Sequence, residues 1–145
     1  MKKIAIVNCG GNLLSVTRAI QEFGYDARIT YDKEEILSAT HIFLPGVGAF
    51  EKAMEILKEK KLFNGLKEID YTKVNLMGIC LGMQMLFDSS DEGGLNEGLG
   101  LIKGKVKKIT LTQQCRQDKL KIPNIGWHKL ITKKRRPDIF KNIED

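Results

Sequence analysis

The sequence has few cysteines and no long apolar run, which excludes several common classes of protein. Its three cysteines, Cys9, Cys80 and Cys115, are an odd number at unrelated spacings, which argues against a disulfide framework and a zinc knuckle. No apolar run is long enough to span a bilayer, and the N-terminus lacks the long apolar region of a signal peptide. We therefore expect a cytoplasmic protein with reduced thiols and no membrane association.

Aromatic residues are also scarce, at 7% of the chain, and they are not interleaved with its most basic part. Residues 103–145 hold 13 lysines and arginines and four acidic residues, a net charge of +9, whereas residues 1–102 have a net charge of −3. A nucleic-acid-binding segment usually carries a recognisable motif besides its charge, and none is present. We expect a solvated surface with a docking face for an acidic partner, and no nucleic acid.

Strand-like and helix-like patterns alternate along the first part of the chain. Short apolar runs indicate strands in "KKIAIVN", "YDARIT", "HIFLP" and "VNLMGI". Helical spacing is present in "LLSVTRAIQEFG", in "DKEEILSA", with Asp32 as its N-cap, and in "FEKAMEILKEKKLFNGLKEI", which is broken near Gly65. This order predicts an α/β fold, a doubly wound and mostly parallel sheet, in one domain over residues 1–145. The glycine-rich, alternating sequence after Gly93 predicts an antiparallel excursion near residues 103–132.

Cys80 lies between two glycines where a predicted strand gives way to a predicted helix. Gly78 and Gly82 flank it in the G-x-nucleophile-x-G spacing of a strained strand-to-helix turn. The helix that begins near Leu81 then supplies N–H donors for an oxyanion that develops at the nucleophile. The alternative is a core cysteine between ordinary turn glycines, and this motif alone does not decide between the two.

Two further glycine-bearing loops follow predicted strands, at the edge where parallel sheets bind ligands. Backbone N–H groups of "PGVGAF", residues 45–50, are placed to line a pocket beside the cysteine, although a generic turn is the alternative. The loop "NCGGN", residues 8–12, lacks the glycine spacing of nucleotide-binding motifs. We therefore expect no nucleotide there, and interpret Asn12 as the N-cap of the following helix.

Taken together, four segments resemble the class I, triad-type glutamine amidotransferases: "PGVGAF", "GICLGMQMLFDSSDEGG", "GLGLIKGKV" and "IPNIGW". The resemblance covers nearly the whole chain, and within the family it is strongest to the amidotransferase subunit of imidazole glycerol phosphate synthase. It implies a flavodoxin-like, doubly wound sheet. It also implies hydrolysis of glutamine, without a metal or cofactor, in a heterodimer with a (β/α)₈ barrel cyclase subunit. The ammonia would be passed to that subunit for imidazole glycerol phosphate formation in histidine biosynthesis.

The resemblance also implies roles for residues around the cysteine. Cys80 matches the nucleophile that forms a glutamyl thioester. Gly46, Val47 and Gly48, with the N–H of Leu81, match the oxyanion elements, and the Val47 peptide is the one expected to reorient on activation.

Other matching positions concern the substrate and the partner. With Gly48, Gln84 and Glu92 match substrate-binding positions, and a carboxylate suits the α-ammonium group of glutamine. Alternatively, Gln84 is a helix surface residue and Glu92 a solvated loop charge. Asn12, Gly126 and Trp127 match partner-facing segments, whereas a lone tryptophan such as Trp127 is equally compatible with a core position.

One family element is missing from the sequence. The family places an H-x-E pair near its C-terminus as base and orienting acid, but Phe43 and Leu130 stand two residues after His41 and His128. We assign the base role to neither histidine. We expect a chain truncated before the family's last strands, with severely reduced glutamine turnover on its own.

At four further positions the sequence differs from the residues that are common in the family, and these differences leave other functions open. Asn8 and Cys9 stand where the family commonly has Asp and Tyr, and Asn124 and His128 stand where histidine-pathway members commonly have His and Asn. The first alternative is a paralogue that supplies ammonia for amino-sugar or surface polysaccharide synthesis. The second is a catalytically silent interaction module, and the third is an unrelated cysteine hydrolase.

Overall fold

Strands and helices alternate in the computed structural model, which describes residues 2–113, 122–123 and 125–127. The strands are β1 (Ile4–Val7), β2 (Ala27–Thr30), β3 (His41–Gly46), β4 (Asn75–Cys80), β5 (Phe87–Ser90), β6 (Asn96–Glu97) and β7 (Ile102–Val106). The helices are α1 (Leu13–Glu22), α2 (Lys33–Leu37), α3 (Phe50–Glu59), α4 (Leu62–Glu68) and α5 (Leu81–Met85). The chain divides into two compact units, Met1–Lys108 and Ile109–Asp145, and all these elements belong to the first unit.

The larger sheet is parallel throughout, with the strand order β2–β1–β3–β4. Ile4 of β1 is paired with Ala27 of β2 on one side and with His41 of β3 on the other. At the other end of the sheet, Gly46 of β3 is paired with Cys80 of β4. The predicted α/β fold with a mostly parallel sheet is confirmed, and the loops after β1, β3 and β4 leave it at one edge.

The smaller sheet has the order β6–β5–β7 and is mixed. β5 is antiparallel to β6 but parallel to β7, with a register shift between Phe87 and Ser89. Among the described residues the antiparallel pairing joins Ser89 and Ser90 to Glu97 and Asn96, and β7, which overlaps the start of the predicted range 103–132, is parallel to β5. Alternation shows which face of a strand is buried but not the direction of its neighbour, so it could not give this pairing. Residues 114–121, 124 and 128–132 of that range lie outside the described residues.

The core lies between the larger sheet and helices α2 to α5. Ile42 and Leu44 of β3 are buried, and α3 packs its apolar face, which includes Phe50 and Leu57, into the same cluster. Met85 joins the core from α5. The helices of the described ranges are too short to form an apolar membrane span.

The long helical segment is interrupted, as predicted, but at Lys61. The predicted position of the break, near Gly65, is wrong. Lys61 has a left-handed backbone, with φ of 57°, and separates α3 from α4. Gly65 is buried within α4, where a Cβ would lie 3.1 Å from Cε of Lys33. The glycine there serves close packing rather than a turn, a distinction that depends on a contact with another helix.

Two predicted N-caps are confirmed. The Asn12 side chain accepts a hydrogen bond from the Ser15 N–H at 3.2 Å, and the Asp32 side chain accepts one from the Glu35 N–H at 2.9 Å. Each satisfies a backbone donor that the first helical turn leaves without an intrahelical partner. The Asn12 cap fixes the start of α1 directly after the loop 8–12.

Candidate active site

Cys80 stands at the junction of β4 and α5 in a backbone conformation that side chains rarely adopt. Its φ is 56° and its ψ is −119°, and its side chain is exposed. Such a conformation costs on the order of 1–3 kcal/mol in a residue other than glycine. The alternative of a core cysteine is wrong, because the turn presents the thiol to solvent.

Close backbone contacts explain the glycines on both sides of Cys80. A Cβ at Gly82 would lie 1.6 Å from the carbonyl oxygen of Leu44 on β3. A Cβ at Gly78 would lie 2.6 Å from Cα of Met83 on α5. Side chains at these positions would push α5 away from the sheet, so the two glycines hold the helix N-terminus directly behind the cysteine.

An open cavity of about 620 Å³ surrounds the thiol and brings together most of the predicted site. The predicted residues that line it are Val47, Gly48, Cys80, Leu81, Gln84 and Glu92. Gly46 does not line it. Gly46 is buried, and a Cβ there would lie 3.0 Å from the Gly82 nitrogen.

Glu92 connects two walls of the cavity. Its carboxylate accepts a hydrogen bond at 3.2 Å from the N–H of Phe50, the first residue of α3. Ala49, the N-cap of α3, makes no side-chain capping bond, so Glu92 acts as the cap from another loop. Glu92 therefore caps α3 as well as lining the cavity, which the alternative of a merely solvated loop charge does not describe.

The loop 8–12 approaches the predicted oxyanion loop at Val47. Gly11, with φ of 102°, lies so close to Val47 that a Cβ would be 3.3 Å from its Cγ1. Asn12 itself is exposed and does not line the cavity. This contact links the start of α1 to the Val47 peptide.

Sequence reasoning missed several residues of the cavity wall. Ser90 and Asp91 at the end of β5, and Lys107 and Lys108 after β7, line the cavity with the predicted residues. Their proximity follows from the parallel pairing of Ser90 with Val106, which joins strands distant in sequence. Only a correct assignment of that pairing would have placed the two lysines at the site.

The predicted partner-facing residues Gly126 and Trp127 belong to the second unit of the chain. Trp127 is fully exposed, so its interpretation as a core residue is wrong. Its part in a partner surface stays a prediction.

Neither His41 nor Cys9 lines the cavity. His41 opens β3, five residues before the end that pairs with Cys80, or roughly 16 Å along the strand. Its Nδ1 lies 2.9 Å from the Thr40 hydroxyl, which is a structural contact. Burial raises the pKa of Cys9 to about 12, so this thiol is inert at neutral pH. His128 lies outside the described residues.

Comparison with known proteins identifies the family. The sequence profile of class-I glutamine amidotransferases matches residues 5–145, nearly the whole chain. The chain belongs to this family. The turn at Cys80 and the loop of Val47 and Gly48 are thus parts of a class-I glutamine amidotransferase domain.

Two of the most similar relatives carry the name imidazole glycerol phosphate synthase subunit HisH. The protein of Carboxydothermus hydrogenoformans is 45% identical over 135 residues, covering 93% of this chain and 64% of its own length. That of Moorella thermoacetica is 43% identical over 131 residues, covering 90% of this chain and 59% of its own length. The chain thus spans about three fifths of the length of these relatives.

A solved structure described as a glutamine amidotransferase has the same fold. It superposes with a TM-score of 0.64 over 72% of this chain and 56% of its own length, at 17% sequence identity. This likeness supports the assigned fold and carries no argument about substrate.

Proposed function

We propose that this chain hydrolyses the side-chain amide of glutamine through a thioester on Cys80 and supplies the ammonia to a (β/α)₈ barrel cyclase subunit. The observation that carries the proposal is the exposed, strained Cys80 at the mouth of a cavity shared with Val47, Gly48 and Leu81. A nucleophile presented on such a turn, with backbone N–H groups of neighbouring loops around it, suits acyl transfer.

The chemistry requires a base, a nucleophile and an oxyanion site. The Cys80 sulfur bonds to the amide carbon, and the carbonyl electrons move to its oxygen, which the N–H groups of Leu81 and the Val47 loop would bind. When this intermediate collapses, the carbon–nitrogen bond breaks, and the nitrogen takes the proton that the base removed from the Cys80 thiol and leaves as ammonia. Water then attacks the thioester, and the carbon–sulfur bond breaks to give glutamate and the free thiol.

No histidine among the described residues lines the cavity, so the base in this scheme has a separate source. His41 is excluded by its place at the opposite end of β3. Candidates are His128, other residues outside the described ranges, and the partner. We expect glutamine turnover to depend on which of these completes the site.

The relatives favour histidine biosynthesis over the amino-sugar alternative, because those compared above carry the imidazole glycerol phosphate synthase name. We accordingly propose a heterodimer with the cyclase subunit, in the cytoplasm, with Asn12, Gly126 and Trp127 at the interface. The silent interaction module is the second candidate, because no histidine of the described ranges lines the cavity.

The test compares two ammonia sources for the cyclase. The barrel subunit with its phosphorylated ribulosyl substrate should form product from ammonium salts alone. It should form product from glutamine only when this chain is present, and not with Cys80→Ser. A stable complex without glutamine-dependent product would show the silent module instead. Absence of a complex would favour the amino-sugar paralogue.

Two substitutions of Glu92 should separate its capping of α3 from its proposed contact with the α-ammonium group of glutamine. Glu92→Gln keeps a hydrogen-bond acceptor for the Phe50 N–H but removes the charge, and Glu92→Ala removes both. Both variants should raise the half-saturating glutamine concentration about tenfold, because a charge-assisted hydrogen bond to the α-ammonium is lost. Only Glu92→Ala should also lower the free energy of unfolding, by about 1 kcal/mol.

Denaturant unfolding and glutamine saturation, measured on the same preparations, check both effects. Unchanged half-saturation in Glu92→Gln would assign Glu92 to capping alone.

A further inference from the structure

Glu92 belongs to a hairpin turn that forms part of the cavity wall. β5 ends at Ser90, which is paired with Asn96 of the antiparallel strand β6. Residues 91–95 form the turn between the two strands. Glu92 lines the cavity around the thiol, whereas Asn96 does not.

Packing contributes little to the shape of this turn. Residues 91–95 are all exposed, Leu95 to 77%. Gly93 and Gly94 have φ of 69° and 129°, and a Cβ at Gly94 would find no atom of the described residues within 4 Å beyond its chain neighbours. Consecutive glycines leave the backbone many accessible conformations. The turn therefore needs contacts other than packing to adopt one shape.

Hydrogen bonds hold Glu92 at each of its polar groups. The Asn96 side-chain amide donates to the Glu92 carbonyl at 2.8 Å and to the Gly94 carbonyl at 3.3 Å. The Glu92 N–H donates to the hydroxyl of Ser90, a fully buried residue, at 3.2 Å. The Glu92 carboxylate accepts from the Phe50 N–H at 3.2 Å. Asn96 is thus the side chain that closes the turn from outside the cavity, with both hydrogens of its amide.

The neighbouring residue of β6, Glu97, makes a weaker connection. Its carboxylate oxygens lie 3.7 Å from Nζ of Lys58 on α3 and 3.7 Å from Nζ of Lys67 on α4. The Glu97 side chain is 59% exposed, and water and salt screen ion pairs of this kind. The amide of Asn96, bound to two carbonyls of the turn itself, therefore defines the shape of the turn more strongly than Glu97 does.

We propose that Asn96 is a positioning residue, which holds the turn so that the Glu92 carboxylate meets the α-ammonium group of glutamine. This inference rests on the proposed function. Without the two hydrogen bonds of Asn96, the glycine turn would populate many conformations, and only a fraction of them would place the carboxylate correctly. The apparent affinity for the substrate falls by that fraction.

The test measures covalent labelling of Cys80 by 6-diazo-5-oxo-L-norleucine, a glutamine analogue with a reactive side chain. The Cys80 sulfur bonds to the diazo carbon, which takes up the thiol proton and releases dinitrogen, so turnover is not needed. The second probe, 6-diazo-5-oxohexanoate, is the same compound without the α-amino group. Labelling is measured against probe concentration with the cyclase subunit present.

Four variants isolate the contribution of the amide donor. Asn96→Ala removes the amide, and Asn96→Asp keeps its shape but has no hydrogen to donate when ionised. Glu97→Gln is the matched control, since Glu97 is the next residue of β6 and also lies outside the cavity lining. The fourth variant combines Asn96→Ala with Glu92→Ala.

For Asn96→Ala we expect the half-saturating concentration of the amino-acid probe to rise about fivefold, the loss of a hydrogen bond of ordinary strength. Asn96→Asp should weaken binding at least as much, because its carboxylate would face two carbonyl oxygens. Glu97→Gln should change the value less than about twofold. In the Glu92→Ala background, Asn96→Ala should have no further effect, since the group that it positions is gone.

The second probe distinguishes positioning from a general structural role. It has no ammonium group for Glu92 to contact, so Asn96→Ala should change its half-saturating concentration less than about twofold. The maximal rate of labelling by either probe should also stay within about twofold. Iodoacetamide, which has no amino-acid part, should label Cys80 at one rate in all variants, showing that the thiol and its turn are intact.

Several results would overturn the inference. An unchanged half-saturating concentration in Asn96→Ala, undiminished binding by Asn96→Asp, equal weakening of both probes, or additive effects of the two alanine substitutions would each do so. Saturable labelling of the wild-type protein by the amino-acid probe would still leave the proposed function standing. If the wild-type protein shows no saturable labelling of Cys80, the proposed function and this inference fall together.

Discussion

Gly82→Ala is expected to lower the free energy of unfolding by about 3 kcal/mol or more and to abolish glutamine hydrolysis. The added Cβ would lie 1.6 Å from the Leu44 carbonyl oxygen, which belongs to a buried strand and cannot move aside. Insertion of atoms into a close-packed core typically costs about 1–3 kcal/mol, and a clash with backbone lies at the upper end. The same displacement would move α5 and its N–H groups away from Cys80.

Gly65→Ala is the matched control, since Gly65 is also a buried glycine within a helix. Its nearest neighbour is Cε of Lys33, the far end of a flexible side chain, at 3.1 Å from an added Cβ. We expect unchanged stability or a gain of up to about 1 kcal/mol from the better helix propensity of alanine. Denaturant unfolding of both variants tests the comparison. If Gly82→Ala unfolded at the same denaturant concentration as the wild-type protein, the close contact of α5 with β3 would be disproved.

Substitution of Cys80 should separate activity from stability. Cys80→Ser and Cys80→Gly should each reduce ammonia release from glutamine by at least about 10⁴-fold, because the nucleophile is lost. Only Cys80→Gly should raise the free energy of unfolding, by about 1 kcal/mol. Glycine relieves the strain at φ of 56°, and this gain exceeds its entropic penalty of about 0.5–1 kcal/mol.

Cys9→Ala serves as the control for this pair, because Cys9 is a buried thiol that does not line the cavity. It should retain ammonia release under conditions in which the wild-type protein is active. Activity is measured with the cyclase subunit present, so that a base from the partner is supplied if one is needed. Equal stability of the glycine and serine variants would show that the turn at Cys80 is unstrained.

Local sequence signals predicted the parts of the molecule that depend on neighbours along the chain. The G-x-C-x-G spacing predicted the turn at Cys80, and the positions of Asn12 and Asp32 predicted the caps of α1 and α2. Each of these features is set by a few consecutive residues, and the backbone has little choice once they are present. The alternation of strands and helices likewise predicted the parallel sheet.

Features that depend on distant contacts were missed. Gly65 was interpreted as a helix break because glycine disfavours helices, but its packing against Lys33 outweighs that preference. The antiparallel pairing of β5 with β6 and the parallel pairing of β5 with β7 were not predicted, because alternation does not identify a partner strand. For the same reason, Lys107 and Lys108 carried no signal that they lie beside Asp91. The cap that Glu92 provides to α3 crosses 42 residues of sequence and could not be predicted either.

The most direct test of the account is detection of the glutamyl thioester on Cys80. The complex with the cyclase subunit is incubated with isotopically labelled glutamine, quenched in acid, digested and analysed by mass spectrometry. We predict a labelled glutamyl group on the peptide that contains Cys80, and none in Cys80→Ser or in the peptide that contains Cys9. Labelled glutamate formed without any Cys80 adduct, and formed equally by Cys80→Ser, would contradict the assignment of Cys80 as the nucleophile.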